Sequence, residues 1–308
     1  MEFQAIDRSL LFSRNDISDL RRGSQTTLVT AFKDLSPGFV IAGYPDDEGI
    51  RNNGGRPGAT LGPDTIRKFL YRMVVTPNAL YDVGNSKTAN RLELRHEAVR
   101  QKVKEALLCG HRWIGLGGGH DYGFADGAGF LDWAKDKKPI VINFDAHLDV
   151  RAPKPEINSG TPFFRLKELG IDFEFVQIGI QRQCNSDAHF QWCEQHGIRI
   201  LTLDAYWNSR LAFVDFVIKS LGDLLKTKRP CFLSVDIDAF AWPYAIGSSQ
   251  SWPTGLEPKE FWPTLELFLK TFDVRTLGIY ETSPPLDFDF GTAKLAALIA
   301  DTFIRKAQ

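Results

Sequence analysis

Pro139-Ile140-Val141-Ile142-Asn143-Phe144-Asp145-Ala146-His147-Leu148-Asp149 joins a nearly continuous apolar run to three metal-ligand side chains spaced by two. The run lacks the alternation of a half-exposed strand. It has the pattern of a strand buried on both faces, as in a parallel sheet covered by helices. If the extended conformation continues past Phe144, Asp145, His147 and Asp149 all project to one side, which suits a metal ion. On its own, the motif also fits a polar loop with incidental acids.

The same pattern recurs on either side. Short apolar runs at Gly38–Gly43, Leu80–Val83, Arg112–Leu116, Phe173–Ile180, Ile198–Leu203, Cys231–Val235 and Val274–Tyr280 read as strands. Between them lie helical patterns at Asp64–Arg72, Leu92–Cys109, Tyr122–Ala134, Phe163–Leu169, Ser186–His196, Leu211–Thr227 and Pro258–Thr271, with a last one at Thr292–Lys306. Strand–helix alternation predicts a mainly parallel α/β sheet with helices on both faces. No linker or tandem repeat divides the 308 residues, so a single domain spanning 1–308 is expected, with 1–36 as an N-terminal extension. Three irregular stretches, Asp46–Gly62, Val150–Thr161 and Ala241–Glu257, each follow a predicted strand. Long loops at the C-terminal ends of parallel strands are where ligands bind in such sheets.

Composition narrows the function. Apolar residues make up 43%, enough for a large core, and the net charge of −1 gives no basic field for nucleic acid or an anionic membrane. No stretch is long and apolar enough for a membrane span, and the N-terminus has no signal-peptide pattern. The four cysteines form no Cys-x-x-Cys pair, and Cys109 and Cys231 read as buried thiols. A reducing, cytoplasmic setting is the expectation.

Two further motifs join the first. Ser234-Val235-Asp236-Ile237-Asp238 places two carboxylates at a second strand end, although a turn or helix cap also accounts for them. Gly117-Gly118-Gly119-His120-Asp121 follows a third strand, its glycines allowing a sharp turn or a close approach. Together the segments offer His120, Asp145, His147, Asp149, Asp236 and Asp238. Clustered carboxylates repel unless cations compensate them, and two divalent ions would balance these four. Oxygen and imidazole donors without thiolate suit Mn²⁺ better than structural zinc. Nucleotide binding through the glycines is disfavoured, because the Gly-x-Gly-x-x-Gly spacing is missing.

From about Gly43 to Pro285 the sequence resembles the ureohydrolases, the family of arginases, agmatinases and formimidoylglutamases. The resemblance implies a single three-layer αβα domain with an eight-stranded, mainly parallel sheet. It implies two Mn²⁺ ions, one on His120, Asp145, Asp149 and Asp236 and the other on His147, Asp145, Asp236 and Asp238, with Asp145 and Asp236 bridging. Glu281, in Tyr280-Glu281-Thr282-Ser283-Pro284-Pro285, matches the family acid that pairs with a guanidinium or amidinium group. Glu281 and Asp149 are thus the catalytic candidates. A homo-oligomer, trimer or hexamer, is the family expectation.

Within the family, the formimidoylglutamase branch is the better match. Arginases and agmatinases carry a histidine before the Gly-x-Pro turn. Here Asn158-Ser159-Gly160-Thr161-Pro162 places Ser159 there. Glu48–Ala59, Asp149-Val150-Arg151 and Gly179-Ile180-Gln181 followed by Asn185 resemble the same branch. That implies cleavage of an amidine carbon–nitrogen bond in N-formimidoyl-L-glutamate and a place in histidine catabolism. A substrate with two carboxylates calls for arginine, and Arg151, then Arg56 and Arg182, are the candidates. Asn158 and Ser159 join them as substrate-binding candidates. One departure stands out: where the family has Asp-Pro after the second metal motif, this chain has Ala241-Trp242 and then Pro243. The alternatives are a guanidine-type ureohydrolase acting on agmatine or guanidinobutyrate, and a metal-binding regulatory protein without catalysis.

Overall fold

The computed structural model describes residues 3–88 and 91–307. Its sheet has ten strands: β1 (Phe3–Gln4), β2 (Thr26–Leu28), β3 (Phe39–Gly43), β4 (Leu80–Ser86), β5 (Arg112–Leu116), β6 (Ile140–Phe144), β7 (Glu174–Ile180), β8 (Arg199–Thr202), β9 (Pro230–Asp236) and β10 (Asp273–Tyr280). The order is β1-β4-β3-β5-β10-β9-β6-β7-β8, with β2 also on β4. Only β1 runs antiparallel to its neighbour. The expected eight strands become ten because the N-terminal region adds β1 and β2. With two and three residues, these are too short to show a period in sequence.

The missing alternation in the strands has the predicted cause. Ile140, Ile142 and Phe144 of β6 pack into one core with the helices Gly62–Leu70, Phe213–Leu221, Pro258–Thr271 and Gly291–Lys306. Val141 faces the opposite core, beneath the helices Leu92–Leu108 and Tyr122–Ala134. This gives three layers, αβα. Each fully buried aliphatic side chain stabilises the fold by about 1.5–3 kcal/mol.

Several helix ends differ from the sequence expectation. The pattern Leu211–Thr227 splits into the helix Phe213–Leu221 and a 3-10 turn at Leu224–Lys226, interrupted near Gly222. The helix Leu203–Ser209 has no counterpart among the sequence patterns. Thr202 caps it by accepting from Ala205 N. Cys231 is buried as expected, but Cys109, just beyond the helix Leu92–Leu108, faces solvent. Among the described residues no helix is long and apolar enough to cross a membrane.

Behind the site lies a buried acid. The Asp126 carboxylate accepts from Tyr44 Oη at 2.5 Å, Trp113 Nε1 at 2.9 Å and Tyr280 Oη at 2.6 Å. Burial outweighs these three donors and pushes its pKa up to about 7. The unfolded chain loses this proton near pH 4 and the folded chain near 7, so the contribution of Asp126 to stability is fully present below about pH 4 and is lost as pH rises through about 7. Asp126→Asn should flatten that part of the curve. Melting temperatures of parent and variant compared at about pH 4.5 and 7.5 will check it, and equal pH dependence would contradict it.

Candidate metal centre

Four adjacent strands, β5, β10, β9 and β6, run parallel and end on one edge of the sheet. His120 follows β5, Glu281 follows β10, Asp236 ends β9 with Asp238 just beyond, and Asp145, His147 and Asp149 follow β6. On each side of this quartet the remaining parallel strands extend the sheet outward, so the edge is a topological switch point of the kind that holds ligands.

Glycines make the first turn possible. A Cβ on Gly118 would meet Asp46 O at 2.3 Å, and one on Gly117 would meet the Tyr280 ring at 2.5 Å. The turn delivers His120, whose backbone N–H donates to Glu281 Oε1 at 3.0 Å. The His120 ring stacks on Tyr280, with centroids 4.8 Å apart, and its Nε2 bonds Ser234 Oγ at 2.8 Å. Its Nδ1 faces three carboxylate oxygens: Asp145 Oδ2 at 3.0 Å, Asp149 Oδ2 at 3.0 Å and Asp236 Oδ2 at 3.2 Å. That nitrogen is fully buried and makes no hydrogen bond. When Nε2–H donates to the serine, Nδ1 presents a lone pair to three acceptors, an arrangement that a proton or a metal cation among the four atoms resolves.

Two groups of donor atoms, each within 4.8 Å of one another, meet at Asp145: His120, Asp145, Asp149 and Asp236 form one, and Asp145, His147 and Asp238 the other. In the second, His147 Nδ1 lies 3.4 Å from Asp145 Oδ1 and 3.1 Å from Asp238 Oδ2. The donor set, carboxylate oxygen and imidazole nitrogen, fits divalent manganese.

The convergence is not the simple alternation expected from sequence. The strand stops at Phe144, the chain bends at Ala146 and His147, and Asp149 turns through a positive φ of 50°. Likewise Asp238 lies in the 3-10 turn Ile237–Ala239, beyond the strand. There Asp236 Oδ1 accepts from Asp238 N at 2.8 Å, so Asp236 caps a turn with one oxygen and faces His120 with the other. Asn185 braces the bend, accepting from Leu148 N at 2.8 Å and donating to Ala146 O at 2.9 Å.

The electrostatics are those of a crowded, buried acid cluster. Burial, then Asp238 and Asp145, raise the Asp236 pKa well above the carboxylate range. Burial opposes a charge on His120, but the surrounding carboxylates outweigh it and lift its pKa well above the ordinary value. Proton and cation therefore compete for the same lone pair. Glu281 is 5% exposed and raised mainly by burial. Its backbone sits at φ 65°, held by Glu281 N donating to Gly118 O at 2.9 Å. A left-handed conformation at a non-glycine residue costs about 1–3 kcal/mol and gathers at functional sites.

A cavity of about 260 Å³ opens over these groups, lined by His147, Asp149, Asp236, Asp238 and Glu281. The arginase family model matches residues 37–305. The chain belongs to the arginase family. A formimidoylglutamase of Legionella pneumophila (strain Lens) is 35% identical over 272 residues, which are 84% of this chain and 82% of that protein. One of Corynebacterium efficiens is 31% identical, over 86% of this chain and 83% of its own. Trypanosoma cruzi formiminoglutamase, solved with Mn²⁺, superposes with a TM-score of 0.80 at 28% identity, covering 93% of this chain and 97% of that one.

The cavity of this arginase-family chain sorts the residues singled out for substrate. Arg151 and Ser159 line it. Arg151 Nη1 donates to Asn53 Oδ1 at 2.7 Å, and Asn53 Nδ2 donates to Ser159 Oγ at 2.9 Å. Arg56, Arg182 and Asn158 are not among the lining residues. Arg56 instead ties two loops together, donating to Ser249 O at 3.1 Å and Ser248 O at 3.0 Å. Arg182 lies over the Phe190 ring at 4.8 Å, and Asn158 Oδ1 accepts from Gly160 N at 3.0 Å inside its own loop. Cavity residues not singled out for substrate include Asn53, Cys184, His189, Ser249 and Gln250. Asn53, Ser249 and Gln250 sit in two of the long loops marked in sequence, whereas His189 stands on the helix Asp187–Gln195 and carried no motif. At the Ala241-Trp242 departure, Trp242 N donates to Trp252 O at 2.6 Å. Trp252 reaches the cavity, while Trp242 is half exposed and outside it.

Proposed function

We propose that this chain hydrolyses N-formimidoyl-L-glutamate to L-glutamate and formamide, with two Mn²⁺ ions held by His120, Asp145, His147, Asp149, Asp236 and Asp238. The observation that carries it is the buried, otherwise unpaired His120 Nδ1 facing three carboxylate oxygens within 3.2 Å, beside a cavity that Glu281 lines. The formimidoylglutamases among the relatives support the choice of substrate.

When bound, such ions supply Lewis acidity and make water nucleophilic at neutral pH. The side chains of the protein do the rest. Glu281 Oε1 is fixed by the His120 backbone N–H, so its carboxylate is aimed before substrate arrives. A planar amidinium can then donate to both of its oxygens, and the cation's charge favours the ionised form against burial. Water adds to the amidine carbon, and the bond from that carbon to the glutamate nitrogen breaks. The nitrogen takes the proton and leaves as the amine, and the carbon departs as formamide. Arg151, at the same cavity, offers a planar donor pair to a carboxylate of the substrate. The proposal includes a homo-oligomer, trimer or hexamer, working in the cytoplasm in histidine catabolism, without nucleic-acid or membrane partners.

A substrate panel tests this. After manganese loading, formimidoylglutamate should yield formamide, and agmatine and guanidinobutyrate should yield no comparable urea. Urea from the guanidines without formamide would select the other ureohydrolase chemistry. Inert, metal-loaded protein would point to the regulatory alternative.

A further inference from the structure

The cavity holds four carboxylates, Asp149, Asp236, Asp238 and Glu281, and the candidate ligand His147. Apart from His147, two lining side chains among the described residues can carry positive charge, Arg151 and His189. Arg151 spends one N–H on Asn53 and has no ion-pair partner among the described residues. An arginine lining an acidic cavity without a carboxylate of its own leaves donors for an anion from outside. His189 is similar. It stands in the first turn of the helix Asp187–Gln195, where Ser186 Oγ accepts from its backbone N–H, and its ring makes no hydrogen bond among the described residues. The two lie near enough that the positive charge of Arg151, after burial, pushes the His189 pKa down, against a smaller pull from Asp149. An anion between them would offset that repulsion.

We propose that Arg151 and His189 form one carboxylate subsite, with His189 selecting acid-bearing amidines over those with neutral or cationic tails. The inference rests on the amidine-hydrolase function proposed above and specifies its substrate class. If Glu281 takes the cationic end of the substrate, the anionic tail needs donors elsewhere in the cavity, and Arg151 offers a cationic guanidinium and His189 a ring N–H. Arg151 was legible from its place two residues after a metal ligand. His189 is the residue that only the fold brings in.

The test compares His189→Gln and His189→Ala with the parent, all loaded with manganese and matched for metal content and melting temperature. The kcat/KM ratio of formimidoylglutamate over a neutral-tailed N-alkylformamidine should fall about tenfold or more, the range expected for hydrogen bonds to a charged group, and mostly through KM. His189→Gln, which keeps a donor, should lose less than His189→Ala. Equal losses on both substrates, a loss confined to kcat, or no loss would overturn the subsite. Binding of L-glutamate, followed by calorimetry, reads it independently of turnover and should weaken about tenfold in His189→Ala. If the parent released no formamide, the proposed function would fail by itself. Glutamate binding by the parent that is lost in the variant would still uphold the subsite, and a parent that binds no glutamate would overturn it.

Discussion

Asp145→Ala should empty both metal positions and abolish turnover. Asp145 is the residue shared by the two donor groups. Its Oδ2 lies 3.0 Å from His120 Nδ1, and its Oδ1 accepts from His147 N at 2.7 Å and lies 3.4 Å from His147 Nδ1. It is also the acid of the cluster whose pKa is held low. Burial opposes ionisation, but His120 and His147 together prevail. Elemental analysis after dialysis should fall from about two ions per chain to less than one, with a loss in kcat/KM of at least about a thousandfold. His120→Asn, which touches only the first group, should lose about one ion. Equal metal content in Asp145→Ala and the parent would contradict the assignment.

Glu281→Gln should produce a comparable loss by a different route. Glutamine keeps the size and an acceptor for the His120 backbone N–H, so the glycine turn and the ligand beside it stay in place. What disappears is the negative charge facing the amidinium. Removing one partner from a buried, hydrogen-bonded charge pair costs about 2–5 kcal/mol, or roughly 30- to 5,000-fold in kcat/KM. Metal content should be unchanged. A variant that keeps parental activity, or loses its metal in parallel, would show that Glu281 does not act on the substrate.

The sequence disclosed the candidate ligands more fully than their geometry. Asp145, His147, Asp149, Asp236 and Asp238 were legible because each apolar run stops where acids begin, and the strand ends they mark are neighbours in the sheet. How they converge was not legible. Local alternation predicts one face, whereas the bend at Ala146–His147, the positive φ at Asp149 and the 3-10 turn after Asp236 do the work. Those features depend on partners distant in sequence, such as Asn185 bracing Leu148 and Ala146. The same limit explains the arginines. Arg151 stands two residues after Asp149 and reaches the cavity, whereas the carbonyls of Ser248 and Ser249, far off in sequence, take up Arg56. His189 belongs to the helix Asp187–Gln195, and only its place on the cavity wall gives it meaning.

Anomalous diffraction at the manganese edge, from crystals grown with Mn²⁺, tests the centre most directly. Two peaks per chain should appear, one bordered by His120, Asp145, Asp149 and Asp236, the other by Asp145, His147 and Asp238. A single peak, or density bound away from these side chains, would contradict the account.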